Sequence, residues 1–220
     1  MAAPMDRRVA LVTGASRGIG AAIARRLGQE GWHVVLAART TGGLEATDDA
    51  IRAAGGSATL VRIDLTKTEE IDSLANALAD RFGRVDGFAG CAAQLGTLSP
   101  IGHQDPKLAE RLWQLSVQAN WRLMSHLTPP LAAAGGWALF PINREAIGAP
   151  FWGMYGAAQA ALASLADSWA VEQQSHGLRV LTPDPGPTAT RLRADAYPGE
   201  DPASLQSADQ AAAALLAPLG

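Results

Sequence analysis

The sequence predicts an α/β fold, a doubly wound parallel sheet of about six strands in a three-layer α/β/α arrangement. Three observations predict it. Short apolar runs alternate with longer stretches of helical periodicity, which is the pattern of parallel strands joined by crossover helices. A cluster of glycines stands between the first apolar run and the first helical stretch. At 220 residues and 48% hydrophobic, the chain has the apolar content and length for one sizeable core, so residues 1–220 read as a single domain.

Taken in order, RVALVT (Arg8 to Thr13) is the first strand and Ile19 to Glu30 the first helix. WHVVLAA (Trp32 to Ala38) is a second strand, followed by a helix over Leu44 to Ala54 and a third strand, ATLVRI (Ala58 to Ile63). A helix over Glu69 to Phe82 leads to DGFAGCA (Asp86 to Ala92), whose small residues let a neighbouring backbone or ligand come close. A loop from Gly96 to Pro106 precedes a long helix to His126, its first turn placed by Asp105 before Pro106. WALFPI (Trp137 to Ile142) is the fifth strand, an alanine-rich helix runs over Gly153 to Gln174, and LRVLT (Leu178 to Thr182) is the sixth strand. Pro183 directly after it marks a sheet edge, because proline has no N–H to give to a ladder. The remaining tail holds a turn-rich segment and one helix, with no seventh strand.

Composition narrows the function. A net charge of -3, with lysine only at positions 67 and 107, gives no basic stripe for a phosphate backbone, so nucleic acid is not an expected partner. The opening MAAPMDRR carries no apolar leader core, and no apolar run reaches the ~20 residues that span a bilayer, so a soluble cytoplasmic protein is expected. A single cysteine, Cys91, and four scattered histidines argue against a disulfide or a metal site. Cys91 reads as a small buried apolar residue rather than a reactive thiol.

The chemistry-bearing motif is TGASRGIG, Thr13 to Gly20. In a strand–turn–helix context, Gly14 permits the tight turn, Gly18 lets the backbone approach a pyrophosphate, and Gly20 lets the helix pack against the sheet. The helix N-terminus then attracts the anion, with Ser16, Arg17 and Ile19 alongside. The second strand ends Ala37-Ala38-Arg39, without the carboxylate that binds a ribose 2′-hydroxyl. Arg39 and Arg17 instead offer charge-assisted bonds to a 2′-phosphate, which favours NADP(H).

This motif and the strand order resemble the short-chain dehydrogenase/reductase family, a Rossmann-type fold, over nearly the whole chain. The resemblance implies further cofactor contacts from Asp64 and Leu65 after the third strand, from Ala92, and from PGPTAT, where Pro185, Gly186 and Thr188 match the segment near the nicotinamide. It also implies a catalytic tetrad of tyrosine, lysine, serine and asparagine. The tyrosine is present as Tyr155. The lysine position holds Gln159, which also counts as a cofactor contact; the serine position, counted back from Tyr155, holds Ile142; and the asparagine position holds Ser116. Asn120 lies one helical turn further on. Gly90-Cys91-Ala92-Ala93 replaces the family's Asn-Ala-Gly segment.

Two functions follow as expectations. The first is an NADP(H)-binding relative whose ordinary catalysis is lost or strongly impaired, acting as a partner subunit, scaffold or cofactor sensor. The second is an active NADPH-dependent carbonyl oxidoreductase using Tyr155 in a modified site. Asn143, Arg144 and Glu145 follow Ile142 into the mouth of the site, where Arg144 could polarise a carbonyl and Glu145 could move a proton, although solvated loop charges are the favoured reading; the same holds for Asp184, His103 and Asp105. The family's dimerisation helices carry Trp113, Trp121 and Trp169 here, which either fill the core against the sheet or form an interface; a homodimer or a heteromer with an active relative is expected.

Overall fold

The computed structural model describes residues 7–219; the first six residues of the amino-terminal stretch read above, and residue 220, lie outside it. The strands are β1 (Val9–Thr13), β2 (His33–Ala38), β3 (Ser57–Arg62), β4 (Gly87–Gly90), β5 (Trp137–Leu139) and β6 (Arg179–Leu181). They form one parallel sheet in the order β3-β2-β1-β4-β5-β6, so the chain reverses direction of travel between β1 and β4. Such a reversal opens a crevice at the carboxyl ends of the strands, which is where ligands bind in open α/β sheets. β6 is an edge strand, as Pro183 predicts.

Helices α1 (Gly18–Gln29) and α2 (Thr41–Ala53) cover one face with α8 (Ala208–Leu216), and α3 (Thr68–Phe82), α5 (Ala119–Ala134) and α6 (Gly153–Gln173) cover the other. Because strand side chains alternate, two apolar cores form. Val12, Val34, Leu36 and Ala89 meet Ile23, Leu27 and Leu215 on the first face. Leu11, Val35, Phe88 and Phe140 meet Leu74, Leu123, Leu127 and Trp169 on the second. β1, β2 and β4 are buried throughout, as expected of parallel strands covered on both sides.

Several boundaries differ from the sequence reading, each for a local reason. β4 ends at Gly90 rather than Ala92, because the N–H groups of Cys91 and Ala92 donate to the Thr13 hydroxyl at 3.2 and 3.3 Å instead of continuing the ladder. β5 stops at Leu139, two residues before Pro141. Asp105 caps α4 (Pro106–Trp113) by accepting from the Lys107 and Leu108 N–H groups, but the helical run does not stop at His126. It passes through a π-helical turn (Gln114–Gln118) into α5, tolerates Pro129 and Pro130, and ends at Ala134 before left-handed Gly135. The tail contains a further short helix, α7 (Arg191–Ala196), where the sequence suggested only turns.

Of the three tryptophans assigned to helix contacts, Trp169 is buried and donates its indole N–H to Thr128 Oγ1 at 2.9 Å. Trp113 packs on the small cluster around Tyr155, and Trp121 is 54% exposed. No helix among the described residues is long and apolar enough to cross a membrane.

Candidate functional site

A single open cavity runs along the carboxyl ends of the strands from the β1–α1 turn to Tyr155. Its floor is the glycine motif. Gly14 has φ 66°, and a Cβ there would stand 2.7–2.8 Å from the Cys91–Ala92 backbone. Gly18 is also left-handed, at φ 58°. A Cβ on Gly20 would lie 2.5 Å from the Gly14 carbonyl oxygen, so only glycine lets α1 approach the turn this closely. No side chain caps α1, and its first residues Gly18, Ile19 and Gly20 line the cavity. The free N–H groups of that helix terminus are therefore available to an anion.

At one end of the cavity lie Ser16, Arg17 and Arg39, with both arginines exposed. Leu65 and Ala92 form the wall beside them, together with Ile63. Asp64 itself does not line the cavity. Its carboxylate accepts from the Thr66 N–H and hydroxyl at 3.1 and 2.8 Å and from Arg111 at 3.3 Å. Burial pushes the Asp64 carboxyl up, but these Thr66 bonds and the Arg111 and Arg39 charges outweigh it and hold the group below its ordinary range.

Pro185, Gly186 and Thr188 close the opposite side. Thr188 is buried, its hydroxyl donating to the Gly186 carbonyl at 3.0 Å, and Gln206 ties the segment down through the Pro185 carbonyl. The cradle, the helix terminus and the paired arginines fit an extended dinucleotide carrying an extra phosphate.

Around Tyr155 the arrangement is less expected. Tyr155 and Gln159 stand one turn apart on the inner face of α6, both buried. Ser116, buried in the π-helical turn, also lines the cavity, and its carbonyl accepts from the Asn120 amide at 2.8 Å. Ile142 does not join them. It is fully buried in the core beside Phe140 and Leu123, and the alternation of extended backbone turns Pro141 and Asn143 to the cavity instead. Counting back from Tyr155 by a fixed spacing therefore lands on a core side chain; the polar group presented to the tyrosine belongs to Asn143.

Asn143 is held at several points. Its backbone N–H donates to Gln159 Oε1 at 2.8 Å, and its side-chain oxygen accepts the Ala146 N–H at 3.3 Å. Its side chain lines the same cavity as Tyr155. Burial of the phenol, with the Asp184 charge adding to it, outweighs the donor effect of the Asn143 amide and pushes the group up to about 12. Tyr155 thus stays un-ionised through the neutral range.

The other polar candidates separate. The Arg144 guanidinium turns away to the Thr182 carbonyl and hydroxyl at 3.0 and 3.2 Å, so it does not serve to polarise a carbonyl in the cavity. Asp184 anchors the Arg144 and Gly186 N–H groups. Glu145 lines the cavity, 4.0 Å from Arg193. His103 is exposed outside the cavity, and Asp105 serves α4. Arg193, stacked 3.8 Å over Tyr197 and bonded twice to Glu200 at 2.6 Å, holds α7 at the mouth; Trp152 bridges Tyr197 to Tyr155. The helical form of this wall was not foreseen from sequence, although the spacing of Arg193, Tyr197 and Glu200 was a readable signal. Cys91 is partly buried beneath the glycine turn and lines the cavity, and desolvation pushes its thiol up to about 12. Among the described residues no group of three or more metal-ligating side chains comes together.

Comparison with known proteins agrees with this geometry. Residues 8–201 match the short chain dehydrogenase family model, and the chain belongs to that family. It is 30% identical over 210 residues to the uncharacterized oxidoreductase YciK of Escherichia coli K12, covering 92% of this chain and 82% of that one. The crystal structure of yciK superposes with a TM-score of 0.89 over 97% of this chain and 89% of the other, at 32% identity. A short chain dehydrogenase from Escherichia coli CFT073, solved with NADPH, superposes at 0.88 over 94% and 88%, also at 32% identity. The chain is also 31% identical to part of the glycine betaine reductase ATRR of Emericella nidulans, covering 86% of this chain but only 15% of that much longer protein.

Proposed function

We propose that the chain binds NADP(H) and retains a slowed, Tyr155-dependent reduction of carbonyl compounds. The observation that carries this reading is the one continuous cavity that joins the glycine turn and its two arginines to the Tyr155 hydroxyl. The solved relative with NADPH supports the choice of cofactor. Gln159 carries no charge to lower the phenol's pKa, and a missing acid–base contribution of this kind is worth about 10²–10⁴ in rate. Turnover well below that of a complete tetrad is the expected result.

The test is NADPH oxidation across ketones, aldehydes and acyl thioesters, beside Tyr155→Phe. Slow turnover that disappears in the variant, with tryptophan quenching by NADPH intact in both, is the expected outcome. Equal rates in the two proteins would overturn it.

The burial of Tyr155 and the nearby Asp184 charge, which both disfavour its phenolate, favour a second reading, in which the chain binds NADP(H) without turnover, as a sensor or as the partner subunit of an active relative. Exposed Trp121 on α5 supports association as a homodimer or heteromer. Equilibrium sedimentation of Trp121→Ala against the parent chain tests that surface: an unchanged mass distribution would remove it.

A further inference from the structure

Resting on the carbonyl reduction proposed above, a more specific assignment follows from how the amides of the site are tied together. We propose that Asn143 is the carbonyl-polarising donor of this site and that Gln159 is a positioning residue that holds it there.

The hydrogen-bond pattern fixes how the Asn143 amide is oriented. Its oxygen is committed to the Ala146 N–H at the start of a short 3₁₀ turn, so its nitrogen is the end that faces the cavity. That nitrogen has two hydrogens. In this assignment one reaches the Tyr155 oxygen, which lines the same cavity, and leaves the phenolic proton to point at a substrate. The second serves the substrate oxygen itself, because Asn143 lines the same cavity. A carbonyl oxygen at this point receives two donors, the Asn143 amide and the Tyr155 hydroxyl, in the arrangement that stabilises developing negative charge.

Gln159 enters through the backbone. Its Oε1 accepts the Asn143 N–H at 2.8 Å, and it stands one helical turn from Tyr155 on the same face of α6. A single rigid helix thereby sets both donors, the tyrosine directly and the asparagine through the glutamine. Ile142 has no part in this, being enclosed in the core.

In the reduction, hydride from bound reduced nicotinamide forms the new C–H bond at the carbonyl carbon. The C=O π pair moves onto oxygen, where Asn143 holds it. The Tyr155 O–H bond breaks as the new alcohol O–H bond forms, and the phenolate left behind regains its proton from water.

The experiment compares Asn143→Leu, which keeps the side-chain size without donors, and Asn143→Ser, which restores one donor. The first readout uses cofactor-free protein labelled with carbon-13 at the tyrosine Cζ, the Tyr155 resonance being assigned through Tyr155→Phe. It is expected to shift in Asn143→Leu at neutral pH, where the phenol is un-ionised. The second readout is turnover: kcat falls roughly 10²–10³-fold in Asn143→Leu, the size expected for losing one oxyanion donor, while KM for NADPH holds. Asn143→Ser recovers at least part of that loss. Gln159→Leu shifts the same resonance and lowers kcat less than Asn143→Leu does. An unmoved resonance, or an Asn143→Leu protein with parental kcat, overturns the assignment while leaving the carbonyl reduction standing. A parent protein without turnover overturns both.

Discussion

The βαβαβ stretch over residues 9–62 and the segment from Ser116 to Gln159 do different work with different kinds of constraint. In the first, function resides in backbone: left-handed turns, close approaches and an uncapped helix end. These demand residues that occupy no space, and glycine is the only one that qualifies. In the second, function resides in which polar side chain reaches Tyr155, and neighbouring positions can exchange that task. Asn143 faces the tyrosine where counting pointed to Ile142. A backbone site therefore keeps its sequence signature, whereas a side-chain site can be rebuilt under an altered one.

The sharpest way to break this contrast is Gly14→Val. A Cβ in a left-handed turn, 2.7–2.8 Å from the facing backbone, displaces either the turn or the β4 end. We expect NADPH affinity, read by tryptophan quenching, to fall by at least about 10²-fold, in line with strain of roughly 1–3 kcal/mol added to lost contacts. An unaffected affinity would show that the turn does not form the binding floor.

Next in size is the 2′-phosphate claim. Removing one charge-assisted bond in Arg39→Ala costs about 1.5–3 kcal/mol, or roughly 10- to 150-fold, against NADPH and little against NADH. Equal losses for both cofactors would sink the assignment.

The catalytic half is probed by Gln159→Lys. An ammonium one turn from Tyr155 should bring the phenol's ionisation down from about 12 by roughly one to three pH units. It also withdraws the acceptor from the Asn143 N–H. Tyrosine difference absorbance against pH reports the first effect, and a midpoint left at its parental value would show that position 159 does not address the tyrosine.

The smallest effect lies in the first half and concerns stability alone. His33 is buried at the start of β2, between Ser57 and Thr59, with both ring nitrogens 2.9 Å from their hydroxyls. Burial first, then the Arg81 and Arg7 charges, hold its pKa below 6.5. The folded state thus binds its proton less readily than the unfolded one. The associated stability is complete above about pH 6.5 and is lost as pH falls toward the lower folded value. Melting temperature against pH should fall less steeply below that point in His33→Gln than in the parent chain; identical slopes would remove His33 as the cause.

Much of the fold was legible because parallel strands are short and apolar throughout, and because Asp105-Pro106 and Pro183 carry their own punctuation. The continuation of the long helix from His126 to Ala134 was not legible, since two prolines ordinarily break a helix, whereas packing around Leu127 and Leu131 keeps this one going. The helix of the α7 wall was not foreseen because Pro198 and Gly199 read as a turn, whereas Arg193 reaches across that turn to Glu200 and stacks on Tyr197.

The sequence by itself determined the layered sheet, the glycine cradle with its two arginines, and the survival of Tyr155, because each depends on local sterics or on a residue type with no substitute. Only the tertiary structure decided that Asp64 is spent on Thr66 and Arg111, that Arg144 turns outward, and that Asn143 with Gln159 surrounds the tyrosine. Those outcomes depend on the face to which an extended residue turns and on what a helix one layer away offers it, and neither is set until the sheet and α6 have packed together.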